Sequence, residues 1–276
     1  FLPPLIVVIL LTLMLGTAIF AQEAKNVIFL VGTGLGSVQL DLARSFAGGA
    51  LSMDEFKEQG KVKTGSANSP VPDAAAAATA LATGRKTNNG LVSVLPSGEK
   101  LQSLAQVMKN KGGKVGIVTN GRVTEPVPAA FYASSLHATE EAELAEQALR
   151  FKPDLLLGGG RSSFRPTLFG GRRKDSLDLM LAAQIDGYAV AQTWEALENA
   201  QGSRLLGLFA NQQLPYEIDR KEKGQPSLAD MTAAALGRFN SERFFLLVNG
   251  SRIGDASLQN DPAALILEIL AFDRAV

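Results

Sequence analysis

The side chains that hydrolytic and redox sites most often use are scarce in this chain of 276 residues. There is no cysteine, so disulfides, thiolate metal sites and cysteine nucleophiles are excluded. There is one histidine, His137. Zinc hydrolases usually take two or three imidazole ligands, which one histidine cannot supply. His137 therefore reads as a lone surface residue. Two stretches could meet an anion. The glycines at 158–160 could cradle one through backbone N–H groups, but no lysine stands at P-loop spacing. The basic run Gly170-Gly171-Arg172-Arg173-Lys174 could meet a phosphate, with a solvated loop as its ordinary explanation.

Composition narrows the classes further. Lys+Arg and Asp+Glu are both 27, giving zero net charge. No basic field is present to hold nucleic acid by counterion release, and none to steer charged partners from a distance. A hydrophobic content of 46% supplies a core. Residues 1–20 carry no charge and are almost wholly apolar, with the small residues Ala18 and Ala21 before Gln22-Glu23. This pattern predicts a signal peptide over residues 1–21, or alternatively an uncleaved membrane anchor. The expected location is secreted or periplasmic, or membrane-anchored through that segment. Residues 22–276 show no internal repeat and no clear linker, and read as one domain.

Short apolar runs alternate with helical periodicity along that domain. Strands are expected at 27–31, 115–119, 155–157, 188–190, 204–208 and 244–248, with a weaker one at 61–64. Helices are expected at 73–83, 101–110, 139–150, 176–185, 193–198, 227–239 and about 262–272. Asp73 and Thr139 are expected N-caps, and Gly84 a C-terminal stop. Such alternation predicts parallel βαβ units, hence an α/β fold with a central, mainly parallel sheet between helix layers. Ligands of such sheets bind beyond the carboxyl ends of the strands. The loops after residues 31, 119, 157 and 248, and the helix start at Asp73, are the places to expect chemistry.

Those loops resemble the alkaline phosphatases. Lys25-Asn26-Val27-Ile28-Phe29-Leu30-Val31-Gly32-Thr33-Gly34-Leu35-Gly36 is similar to that family's opening strand and loop. Pro72-Asp73-Ala74-Ala75-Ala76, running on to Ala82-Thr83-Gly84-Arg85, is similar to its nucleophile helix. Val118-Thr119-Asn120-Gly121-Arg122-Val123-Thr124, Asp154-Leu155-Leu156-Leu157-Gly158-Gly159-Gly160-Arg161 and Val248-Asn249-Gly250-Ser251-Arg252-Ile253-Gly254-Asp255 follow in the family's order. The resemblance covers about residues 25–276. It implies the alkaline-phosphatase-like sandwich, with the family's C-terminal strands and last ligands expected to be missing after Val276. It also implies a homodimer, with phosphate or a phosphate ester as the small partner.

The family's chemistry is phosphate monoester hydrolysis through a phosphoserine, assisted by two zinc ions and one magnesium ion. The matching positions here do not carry it. The nucleophile position is Ala74, whose methyl group has no lone pair. The phosphate-gripping arginine matches Ala138. The metal positions match Thr33, Glu125, Val127, Asn249, Gly254 and Leu258, of which only Glu125 is a carboxylate. Glu125 is expected to be a solvated surface residue. Arg122 and Arg161 match scaffold positions. The resemblance thus implies a homologue without phosphatase activity, with no cofactor expected. Two alternatives stand beside it: a phosphate-binding or interaction scaffold, and a weak phosphomonoesterase using Asp73, Glu125 and Asp255 around one magnesium ion.

Overall fold

The computed structural model describes residues 24–221, 224–240 and 242–276, so the expected signal peptide or anchor at 1–21 lies outside the described residues. Among those residues the elements run β1 (Asn26–Gly32), α1 (Ser37–Ala47), α2 (Ala74–Thr83), α3 (Leu104–Asn110), β2 (Lys114–Arg122), α4 (Pro126–Tyr132) and α5 (Glu141–Phe151). They continue with β3 (Leu155–Gly159), α6 (Leu179–Ile185), β4 (Ala189–Ala191), α7 (Trp194–Glu198), β5 (Leu205–Leu208), α8 (Leu228–Phe239), β6 (Phe244–Gly250), α9 (Arg252–Leu258) and α10 (Pro262–Ala275).

The strands form one sheet in the order β1-β6-β2-β3-β5-β4, and every neighbouring pair is parallel. A parallel strand covered on both faces needs a continuous apolar run. Phe244-Phe245-Leu246-Leu247-Val248 supplies one, and all of β6 is buried, its two polar-tip residues included. One face packs on α2 to α6 around the rings of Phe29, Phe131 and Phe245, whose centroids lie 5.4 to 6.4 Å apart. The other face packs on α1 and α7 to α10. Parallel pairing puts the carboxyl ends of all six strands on one edge, which is where the loops named above converge.

Several helix starts follow from their caps. Asp73 accepts from the Ala76 N–H at 2.8 Å, and Gly84 closes α2 in the left-handed region at φ 70°. Ser227 and Asp230 form a capping box on α8. Three expectations fail. Residues 61–64 form no strand: they are exposed throughout, so no buried face pins them to a partner. Helix α5 starts two residues past Thr139, with Glu140 at the cap position and no side-chain cap bond. Helices α1, α4 and α9 were not expected. Their N-caps, Gly36, Glu125 and Ser251, make no side-chain cap bond that would mark them in the sequence.

The basic run at 170–174 is not wholly a solvated loop either. Arg173 is only 1% exposed. Its guanidinium donates to the Ala142 carbonyl at 2.8 Å, to the Ser163 carbonyl at 3.2 Å, to Glu146 at 2.6 Å, and to both oxygens of Asp175. This fork ties the loop after β3 to α5. Removing one partner of a buried charge network strands the others. Arg173→Ala is expected to lower stability by about 3–5 kcal/mol in urea unfolding. Arg173→Lys should recover little of that loss, because an ammonium cannot reproduce the planar fork.

Candidate functional site

The carboxyl tips of β1, β6 and β2 lie side by side, and the register puts Val31 and Thr119 on either side of Asn249. Asn249 is fully buried. The Thr33 hydroxyl donates to its Oδ1 at 2.9 Å, and its Nδ2 donates to the Thr119 hydroxyl at 3.2 Å. Thr119 Oγ1 also accepts from the Gly121 N–H at 3.0 Å. Three strand tips are thus joined by a chain of neutral groups. Thr33 is fixed further by its own N–H, which donates to the Gly250 carbonyl at 3.1 Å.

Glu125 lies next to this chain and corrects an expectation. Its side chain is 11% exposed, so it is not a solvated surface glutamate. The Ser251 hydroxyl donates to its carboxylate, and Arg122 stands 3.6 Å away. Burial pushes the Glu125 carboxyl above its usual range, against the pull of Ser251 and Arg122. The absence of a side chain at Gly121 permits this contact, since a Cβ there would overlap Glu125 and Ser251. Arg122 also pairs with Glu141 at 3.0 Å, so its charge is already engaged.

The segments that carry the positions matching nucleophile and phosphate grip are linked through Gly90. Asp73 uses one oxygen to cap α2 and the other to accept from the Gly90 N–H at 2.6 Å. The Ala138 N–H donates to the Gly90 carbonyl at 3.0 Å. Ala138 therefore approaches the start of α2, where Ala74 is exposed. Neither alanine offers a polar side chain.

The remaining positions do not converge on an ion. A Cβ at Gly254 would stand 3.1 Å from the Thr33 carbonyl, and one at Gly34 would stand 3.0 Å from Gly254 Cα. The two segments meet backbone to backbone. Asp255 pairs with Arg252 at 2.6 Å, and that guanidinium lies 3.7 Å from the centroid of the Tyr216 ring. Val127 is 7% exposed within the apolar core, and Leu258 is 85% exposed at the end of α9. His137 is exposed, as expected for a lone histidine. Among the described residues, no three His, Cys, Asp or Glu side chains are placed to share a cation. Asp73, Glu125 and Asp255 each serve another partner.

Two buried residues that the sequence does not mark hold the cleft's underside. Asn120 Oδ1 accepts from the N–H groups of Ser251 at 2.8 Å and Arg252 at 3.2 Å, which anchors the entry to α9. Its Nδ2 donates to Glu268 at 2.8 Å, and the Glu217 N–H donates to the other Glu268 oxygen at 2.7 Å. Glu268 is 2% exposed. The available signal was one acidic residue within the apolar run Leu265-Ile266-Leu267-Glu268-Ile269-Leu270, on the same helical face as Ala264 and Phe272.

Comparison with known proteins bears on this arrangement. Residues 24–276 match the family model described as alkaline phosphatase. The chain is 37% identical to the repressible alkaline phosphatase of Saccharomyces cerevisiae, over 92% of this chain and 51% of that protein. It is 33% identical to alkaline phosphatase 4 of Bacillus subtilis, over 92% of this chain and 57% of that protein. The crystal structure of Thermus thermophilus alkaline phosphatase superposes with a TM-score of 0.83 at 35% identity, covering 92% of this chain and 55% of that one. The chain spans about half the length of these relatives.

Glu268 makes the stability of this cleft depend on pH. Burial pushes its carboxyl up to about 7, against the Glu217 N–H, the Arg252 charge and the Asn120 amide. A carboxyl with a raised folded-state pKa contributes stability that is complete below its unfolded value and lost as pH rises through the folded one. Unfolding free energy is therefore expected to fall by up to roughly 3 kcal/mol between about pH 5 and about pH 8. Glu268→Gln should remove most of that slope, as read from urea midpoints at the two pH values.

Proposed function

The chain belongs to the alkaline phosphatase family, and from that premise we propose that it keeps the family's fold without hydrolysing phosphate monoesters. The observation that carries this reading is Ala74. It sits exposed at the first residue of α2, where the resemblance puts the attacking group, and it has no oxygen to attack phosphorus. The nearest carboxylate in sequence, Asp73, has both oxygens engaged by backbone N–H groups.

The donor set supports the same reading for zinc and magnesium. Hard and borderline divalent cations are held by carboxylates and imidazoles. The matching positions offer a hydroxyl at Thr33, an amide at Asn249, no side chain at Gly254 and a hydrocarbon at Leu258. The hydroxyl and the amide already satisfy each other at 2.9 Å. Glu125 is the one carboxylate, and it is tied to Ser251 and Arg122. The residues present do not fit the family's metals. The proposed role is that of a fold used for binding, and the apolar composition of residues 1–20 supports a place for it outside the cytoplasm.

Two measurements test the reading. Full-length protein with added zinc and magnesium is expected to show no turnover of 4-nitrophenyl phosphate from mildly acid to strongly alkaline pH. Metal-dependent turnover that is lost on changing Glu125 would refute the proposal. Melting temperature should likewise be the same in chelator and in excess metal. Thr33→Asp should reverse that independence. A carboxylate at 33 would face the Asn249 carbonyl oxygen without a proton to donate, which destabilises by about 1–3 kcal/mol. Added magnesium should recover part of this loss in the variant alone.

A further inference from the structure

The crevice beyond the strand tips has a second end, at β3, β5 and β4, that the family's chemistry does not use. Each of these strands hands a polar side chain to one spot: Arg161 after β3, Asn211 after β5 and Gln192 after β4. Arg161 Nε donates to Asn211 Oδ1 at 2.9 Å and its NH1 to Gln192 Oε1 at 3.0 Å. These amides orient the guanidinium without neutralising it. Arg165 stands near enough that its charge, after burial, helps to pull the Arg161 pKa down. Arg165 has the Phe169 ring 5.9 Å away. Among the described residues neither arginine has a carboxylate within ion-pair distance. The basic groups of this loop therefore divide: Arg173 is buried and matched by Glu146 and Asp175, while Arg161 and Arg165 form an uncompensated half-buried pair.

Arg165 lines a cavity of about 330 Å³, and Arg161 stands behind Gln192 in its wall. Its apolar wall is Phe169, Met180, Leu181 and Val190. Asp178 also lines it, but one of its oxygens accepts from the Met180 and Leu181 N–H groups, both at 3.0 Å. A guanidinium in an apolar wall, backed by a second one bonded to Gln192, in the ligand crevice of a parallel sheet, calls for an amphiphilic anion. We propose that this cavity binds a small organic anion, its charged group on Arg165 and Gln192 with the Arg161 charge behind them, and its apolar body against Phe169, Met180, Leu181 and Val190. The site is separate from the Thr33–Asn249 cleft by roughly 15–20 Å, the width of three to four strand spacings. It does not rest on whether that cleft is catalytic.

The test is calorimetric titration of the full chain with 1-naphthalenesulfonate, which no phosphatase can hydrolyse. Sulfate supplies the charge alone and 1-naphthol the body alone. The sulfonate is expected to bind at least about tenfold more tightly than either. Arg165→Gln and Leu181→Asp should each weaken it by about tenfold or more. Both substitutions leave the core untouched: Arg165 is half-exposed and Leu181 is 54% exposed on α6. Melting curves would verify that both variants fold. No heat at millimolar sulfonate, equal affinity in both variants, or sulfate binding as tightly as the sulfonate would each overturn the proposal.

Discussion

A side-chain amide that is wholly shut off from water must satisfy its oxygen and nitrogen within the protein. Asn249 meets that requirement across the sheet, accepting from Thr33 on one neighbouring strand tip and donating to Thr119 on the other. The constraint reaches beyond three side chains. It fixes the turn after β1, whose Gly34 then lies against Gly254 at the start of α9. That contact is tight, 3.0 Å from a Cβ at Gly34 and 3.1 Å from one at Gly254, so a side chain at either position would have to push its neighbour aside. Two carboxylates at positions 33 and 249 would repel one another at this separation unless a cation stood between them. A hydroxyl and an amide attract one another instead. The strand tips are therefore held by the protein's own groups.

Buried charge does similar work away from the strand tips, in two different ways. Arg173 is surrounded by two carboxylates and two carbonyls, so its burial is compensated and the loop after β3 is held against α5. Glu268 is compensated less completely: it has two donors and a nearby guanidinium, yet burial still raises its pKa. Through Asn120 it supports the first N–H groups of α9, the helix that carries Gly254 and Asp255. Arg252 completes that corner by stacking on Tyr216 and pairing with Asp255. Asp255 is thereby committed to the scaffold.

The fold was legible because its signals are local and repeated. Apolar runs such as Leu155-Leu156-Leu157 and Phe244-Phe245-Leu246-Leu247-Val248 are long enough to name buried strands, and Asp73, Ser227 and Gly84 mark helix ends by known capping chemistry. Helices α1, α4 and α9 lack such marks, because Gly36, Glu125 and Ser251 cap no N–H group with their side chains. At the cleft, Ala74, Gly254 and Leu258 were legible as residues whose side chains carry no oxygen or imidazole. The contact between Thr33 and Asn249 was not. That Thr33 and Asn249 bond to each other across 216 positions in sequence depends on the register of β1 on β6, which no local pattern encodes. The burial of Glu125 was missed for a related reason. It depends on Gly121 and Ser251 meeting over it, and both lie on other elements.

The two ends of the crevice have opposite electrostatic solutions, and the difference lies in which groups the strand tips carry. At β1, β6 and β2 the polar groups are neutral and mutually satisfied, and the nearest cation, Arg122, is already shared by the carboxylates of Glu125 and Glu141. Little driving force remains there for a charged ligand. At β3, β5 and β4 the polar groups are a guanidinium and two amides, with a second guanidinium close by and no carboxylate in ion-pair range among the described residues. Zero net charge over the whole chain conceals this, because among the described residues no carboxylate comes within ion-pair distance of Arg161 or Arg165, although Asp178 lines the same cavity. An anion in the cavity beside Arg165 would offset the charge of both arginines. The same anion beside Thr33 and Asn249 would meet hydrogen-bond donors already spent.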